Sequence, residues 1–333
     1  MKAMRLERVA SAEQKPLQLR DLSDPRPGAG EVAIDVEACG VCRTDLHILE
    51  GEVPARLPIT PGHQIAGRVV AAGSGVQNFK PGDFAGVGWI ASTCGECPLC
   101  RSGLENLCEK ATFTGKDRDG GYAECAVADE RWVYPLPAGV GPQEAAPLLC
   151  AGIIGYRSLK LSGIRPRGRL GLFGFGASAH LAIQVALRWK CEVYAFDRTE
   201  SHRQFARKLG AVWSGEITAN PGVLLDAAVT FAPAGEVVVA ALSRLGRGAT
   251  VAINAIHMSA IPSFSYDLLY GERVMRSVMN YTRRDAEEFL KLAARIPVRA
   301  VVETSSLEEA NEALLRVKRG ELVGAAVLTT TRS

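Results

Sequence analysis

The 333-residue chain has no run of five or more lysines and arginines, and 39 basic against 36 acidic residues leave a net charge of +3. Without a concentrated positive field, a nucleic-acid partner gains no electrostatic support. No apolar stretch approaches the roughly 18 residues of a membrane span, so no membrane partner is expected. The opening MKAMRLERVA carries four charges and no apolar core, unlike a secretory signal peptide. Internal repeats and low-complexity segments are also missing. A cytoplasmic chain is expected, in a compartment where thiols stay reduced.

Apolar residues make up 47% of the chain and charged residues 23%, which are globular values and argue against disorder. The length suggests two domains. Cysteine is plentiful, with nine residues. An odd number in a reducing compartment points to metal ligands or buried thiols instead of a disulfide framework. Cys39, Cys125 and Cys191 read as small buried hydrophobes.

Up to about residue 145 the chain is dense in Pro and Gly turn signals. Short apolar segments lie between them. Residues 31–39, EVAIDVEAC, alternate with period two, the mark of a half-buried strand. Residues 65–72 and 121–128 add strands of an antiparallel β domain. Beyond Pro147 the pattern changes to strands at 170–173, 193–196, 227–231 and 249–253, with helices at 179–189 and 201–209. That alternation implies a doubly wound parallel sheet. A helix at 285–295 follows, then a strand–helix–strand tail at 301–302, 307–319 and 325–329.

Residues 94–108 read CGECPLCRSGLENLC, with spacing Cys-x2-Cys-x2-Cys-x7-Cys. Cys94, Cys97, Cys100 and Cys108 can close a tetrahedral Zn²⁺ site, and four thiolates leave no open position. This metal is expected to be structural. A second set is scattered. Cys42 in GVCRTDLH, His63 in PGHQ and a later cysteine could supply three ligands and leave the fourth position open, the catalytic arrangement. Cys150, in PLLCAGIIGY, sits where the two halves of the chain meet, where a cleft is expected. Asp45 could accept a hydrogen bond from the His63 nitrogen that is not on the metal. Thr44 and His47 offer a hydroxyl and an imidazole for relaying a proton.

Residues 170–180, LGLFGFGASAH, fit G-x-G-x-x-G/A after an apolar strand and before an apolar helix. Gly174 allows the sharp turn, Gly176 lets a pyrophosphate approach the backbone, and small Ala179 lets helix and sheet pack closely. The backbone of Ala177 and Ser178 opens the helix toward the phosphates. Asp197 ends the next strand, VYAFD, where an acid can bind both adenosine ribose hydroxyls and repel a 2′-phosphate. NAD is therefore expected. Arg198 and Arg203 argue for NADP.

These motifs, in this order, resemble the zinc-dependent medium-chain alcohol dehydrogenases over nearly the whole chain. The wording DGGYAE, GFGASAHLA and AIHMSAIP is similar to a bacterial subgroup related to cinnamyl alcohol dehydrogenases. The resemblance implies a GroES-like, β-rich catalytic domain at 1–152, a Rossmann domain at 153–284 and a return to the first domain at 285–333. It implies catalytic zinc on Cys42, His63 and Cys150, and Thr44 bridging the substrate oxygen to the cofactor ribose. Arg43 would reach the pyrophosphate and Trp89 would wall the alcohol pocket. It also implies a homodimer or homotetramer, with 255–262 near the contact. Gln64, Ile154, Ala325 and Val53 depart from the family pattern without removing a zinc ligand. The expected activity is reversible hydride transfer between an alcohol and NAD. The alternatives are an NADP-dependent aldehyde reductase of cinnamyl type and a non-catalytic NAD(H)-binding redox sensor.

Overall fold

The computed structural model describes residues 1–296 and 298–330. Two units emerge. One holds Met1–Cys150, Thr282–Ala294 and Ala300–Ser333; the other holds Ala151–Tyr281 and Arg295–Arg299. The chain passes back to the first unit at Thr282, while Arg295–Arg299 groups with the second. The reason is a two-way clasp: the Gln184 amide donates to Arg299 O at 2.8 Å and accepts from Arg299 N at 2.9 Å.

The first unit is built on a seven-stranded sheet around one long strand, Glu31–Val41. One edge of this strand pairs antiparallel with Ile65–Ala72. Its other edge is shared: residues 31–35 pair with Cys125–Asp129, and residues 38–41 pair with Ala325–Thr329. Strand Val302–Ser306 runs parallel beside Ala325–Thr329. The alternation expected over residues 31–39 is incomplete, because register shifts at Ala33/Ile34 and Val36/Ala38 change which residues face inward. The strand expected at 121–128 begins only at Cys125. Gly121 and Tyr122 instead bond to the carbonyls of Gly62 and Pro61, both at 2.9 Å.

The second unit carries six parallel strands. They lie in the order Trp213–Gly215, Glu192–Phe196, Arg169–Phe173, Leu225–Thr230, Leu245–Ile253, Val274–Ser277. Numbered along the chain this is 3-2-1-4-5-6, the doubly wound dinucleotide-binding order. Phe173 and Phe196 stack at 4.0 Å, fully buried, and tie the first two strands together. Helix Ala177–Arg188 follows the first strand and Glu200–Lys208 the second. Helices Ala151–Ser162 and Gly235–Leu242, and the outer strands Trp213–Gly215 and Val274–Ser277, are additional to the sequence reading.

Candidate active site

Pairing in the first unit's sheet brings two of the expected ligands together. Cys39 faces Ile65, and Gly40 N–H donates to Gln64 O at 3.0 Å. Cys42 and His63 therefore leave neighbouring strand ends side by side. Cys42 is extended (φ −122°, ψ 157°) and caps the short helix Arg43–Leu49, with Thr44 N–H reaching its sulfur at 3.5 Å. Pro61–Gly62 turns the chain into His63. Gly62 has φ +94°, and a Cβ there would lie 2.3 Å from the Tyr122 ring, so only glycine fits. Cys150 follows the buried turn Ala146–Leu149.

The ligand atoms of Cys42, His63 and Cys150 all lie within 4.8 Å of one another. His63 is fully buried, and its Nδ1 bonds to Asp45 Oδ1 at 2.9 Å. Its Nε2 is buried with no hydrogen-bond partner. A buried nitrogen left unpaired beside two sulfurs fits a metal ligand, with Asp45 fixing the tautomer. Charge points the same way. Burial disfavours a charged His63, yet Asp45 and Cys42 outweigh it and raise the ring's pKa to about 10. The contact with Cys150 holds the Cys42 thiol well below its usual range against burial, and His63 helps. The same contact, with burial, pushes Cys150 well up. Asp45 and Cys42 thus surround the ring with negative charge, which favours a proton on His63 and would equally favour a dication in the proton's place.

Trp89 stands edge-on to His63 at 4.8 Å and stacks on Phe113 at 5.0 Å, forming an apolar wall beside the cluster. Thr44 is half-buried, and His47 is buried one turn later on the same helix. His47 Nδ1 pairs with the Glu52 carboxylate, a partner the sequence reading missed. Arg43 donates to Val317 O at 3.1 Å, in the last turn of helix Ala310–Arg319, so in this structure it serves its own unit. Buried Gln64 packs over Gly40, and Val53 N–H bonds to His47 O at 3.1 Å. Ala325 is buried at the start of its strand, and Ile154 is half-buried in helix Ala151–Ser162.

The four-cysteine loop is compact. Cys94 Sγ lies 3.5 Å from Cys108 Sγ and 3.9 Å from Cys100 Sγ, and all four sulfurs fall within 4.8 Å. Zn–S bonds of about 2.3 Å set tetrahedral thiolates about 3.8 Å apart, so the group fits zinc. Cys97 caps the single turn Pro98–Arg101, and Cys97 and Cys100 N–H groups reach the sulfurs three residues back, both at 3.4 Å. The N–H groups of Glu96 and Cys97 lower the Cys94 thiol to about 6. None of the nine cysteines forms a disulfide.

In the second unit, Gly174 has φ +87° and sits so close to Ala232 that a Cβ would lie 2.9 Å from its nitrogen. A Cβ on Gly176 would meet nothing within 4 Å, leaving the space a pyrophosphate needs. Ala177 and Ser178 are half-exposed in the helix's first turn, and Ala179 is buried against the sheet. Asp197 is nearly buried and more committed than expected. Oδ2 accepts from Phe175 N at 2.6 Å; Oδ1 accepts from Thr199 N at 2.8 Å and meets His202 Nδ1 at 3.2 Å. Burial raises its pKa, but His202 and these amides prevail and lower it. Its four lone-pair positions are mostly filled, which leaves less than the expected grip on two ribose hydroxyls. Arg203 is held by Glu200 and by the Asp197 and Arg198 carbonyls, while Arg198 is exposed.

Residues 28–138 match the alcohol dehydrogenase GroES-like domain family. A probable alcohol dehydrogenase, AdhA, of Mycobacterium tuberculosis (strain CDC 1551 / Oshkosh) is 43% identical over 335 residues, covering 98% of this chain and 97% of its own. Acetophenone reductase from Geotrichum candidum NBRC 4597, solved in complex with NAD, matches with a TM-score of 0.88 at 30% identity, over 99% of this chain and 97% of that one. A cobalt- and zinc-bound thermostable alcohol dehydrogenase from Pyrobaculum aerophilum matches with a TM-score of 0.90 at 25% identity, over 99% of each chain. Identity at that level along almost the entire length, over the same fold, shows that the chain belongs to the zinc-dependent medium-chain alcohol dehydrogenases, oxidoreductases that interconvert alcohols with aldehydes.

Proposed function

We propose that the chain performs this reaction at Cys42, His63 and Cys150, with NAD as its partner in hydride transfer. The buried, unpaired Nε2 of His63 beside two cysteine sulfurs carries the reading. When bound, zinc supplies a Lewis acid for the alcohol oxygen and NAD supplies the hydride acceptor. The chain's own residues handle the proton. Thr44 and His47 are three apart on one helix, and so share a face. Thr44 takes the alcohol's proton through its hydroxyl and passes it toward His47. Glu52 holds the proton on His47 Nδ1, which makes Nε2 the relay's acceptor. Trp89 and Phe113 exclude water from one side.

Cys94, Cys97, Cys100 and Cys108 hold a second, structural zinc in this reading. The thiols of both sets need a reducing, cytoplasmic setting. A homodimer or homotetramer is supported by the second unit's edge strand Val274–Ser277 and by exposed apolar residues that flank it in sequence, Tyr266 at 69%, Tyr270 at 66% and Met279 at 51%. NADP-dependent aldehyde reduction is the second reading, favoured by exposed Arg198 beside Asp197. The test is a panel of aliphatic, benzylic and cinnamyl alcohols and aldehydes, assayed with both cofactors on protein of measured zinc content. Two zinc ions per chain and turnover of primary alcohols with NAD are expected. Failure to turn over any of the panel would sink the assignment.

A further inference from the structure

Asp45 is fully buried, and its two oxygens take four donors. Oδ1 accepts from His63 Nδ1 at 2.9 Å and Gly62 N at 3.3 Å. Oδ2 accepts from Cys42 N at 2.9 Å and the Tyr122 hydroxyl at 3.2 Å. A carboxylate has about four lone-pair positions, so none is left over. Three donors belong to the segments that carry Cys42 and His63. The fourth comes from a residue about 60 positions further on.

Tyr122 is itself fully buried and gripped from several sides. Its N–H donates to Pro61 O at 2.9 Å, its carbonyl accepts from Met4 N at 2.8 Å, and its ring fills the space beside Gly62. It therefore touches the His63 turn through backbone and ring, and the Cys42 helix through Asp45. Burial and the Asp45 charge push its hydroxyl well above the usual tyrosine range, so it remains a donor.

We propose that Tyr122 is a positioning residue for the metal centre: its hydroxyl pins the Asp45 carboxylate, and through it the His63 ring that offers Nε2 beside Cys42 and Cys150. The inference rests on reading that cluster as a zinc site. A residue acting only by packing would be replaced without loss by phenylalanine, which keeps the ring. A residue acting through its hydroxyl would not.

The experiment uses the full-length protein loaded with zinc and a competing chelator. Tyr122→Phe should weaken one of the two zinc ions about tenfold, the lower end of what loss of a metal ligand's hydrogen-bonded support costs. The other ion should be unaffected. Cobalt exchanged into the weakened site should show a shifted d–d absorption. Adding Tyr122→Phe to Asp45→Asn should produce little further loss, because the effect runs through Asp45. Wild-type affinity for both ions in Tyr122→Phe would overturn the proposal. So would equal weakening of both ions with a lowered melting temperature, which marks general loosening. If Cys42→Ser kept both ions, the zinc reading itself would fall and take the proposal with it.

Discussion

The four-cysteine loop does more than close on itself. Within it, buried Glu105 accepts the N–H of Arg283 at 2.8 Å, at the first turn of helix Arg283–Arg295. Elsewhere in that turn Thr282 and Asp285 satisfy each other: Asp285 Oδ2 accepts from Thr282 N at 3.0 Å, and Asp285 N donates to Thr282 Oγ1 at 3.1 Å. Arg283 N–H thus relies on Glu105. Glu105→Ala removes a hydrogen bond to a charged acceptor and leaves that amide unpaired, which costs about 1–3 kcal/mol. Each 1.4 kcal/mol is a factor of ten, so amide exchange at Arg283 should accelerate by about 5- to 150-fold if that bond gates opening. Hydrogen exchange by NMR or mass spectrometry reads this directly. Helix Ala177–Arg188, in the other unit, should keep its protection, and zinc content should not change. Unaltered exchange at the start of Arg283–Arg295 would refute the coupling of loop to helix.

The division of labour between the metals predicts that Cys42→Ala abolishes turnover in a protein that melts normally, whereas Cys97→Ser lowers the melting temperature because a structural zinc contributes folding energy. Equal loss of activity with unchanged melting in both would contradict it. Thr44→Val keeps the shape but removes the hydroxyl, so kcat should fall by about 10² or more at neutral pH; wild-type turnover would eliminate the relay. Asp197→Thr should move the ratio of kcat/KM values toward NADP, since the carboxylate that repels a 2′-phosphate is gone. A wild-type enzyme that already prefers NADP would show that Arg198 outweighs Asp197.

The side chains of the two candidate metal clusters were legible because their chemistry is scarce and, in the four-cysteine loop, their spacing is short. Four thiols in fifteen residues have few other uses, and the glycine loop announces itself by its place between strand and helix. Their supports were not legible. Glu52, Tyr122, Glu105 and His202 are ordinary residue types, and only the fold shows what each touches. Tyr122 meets Asp45 across 77 positions, and Glu105 meets Arg283 across 178. Helix Gly235–Leu242 was missed for another reason. GEVVVAAL contains a β-branched run that favours strand locally, while packing against the sheet makes it helical. Strand Trp213–Gly215 is three residues long, too short to carry a period.

The long strand Glu31–Val41 has two histories along its length. Residues 31–35 receive a neighbour from 125–129, but residues 38–41, which lead into Cys42, wait for 326–329. On a ribosome adding about 5–20 residues per second, that delay is roughly 15–60 s. The sulfurs of the 94–108 loop can gather around an ion long before then, since their spacing is local. The strand end beside Cys42 meanwhile presents unpaired N–H and C=O groups, the kind of edge that recruits the wrong partner. On the proposed zinc reading, maturation is therefore staggered: the structural metal can be taken up during synthesis, while the backbone under the reactive one is completed only when strand Ala325–Thr329 arrives.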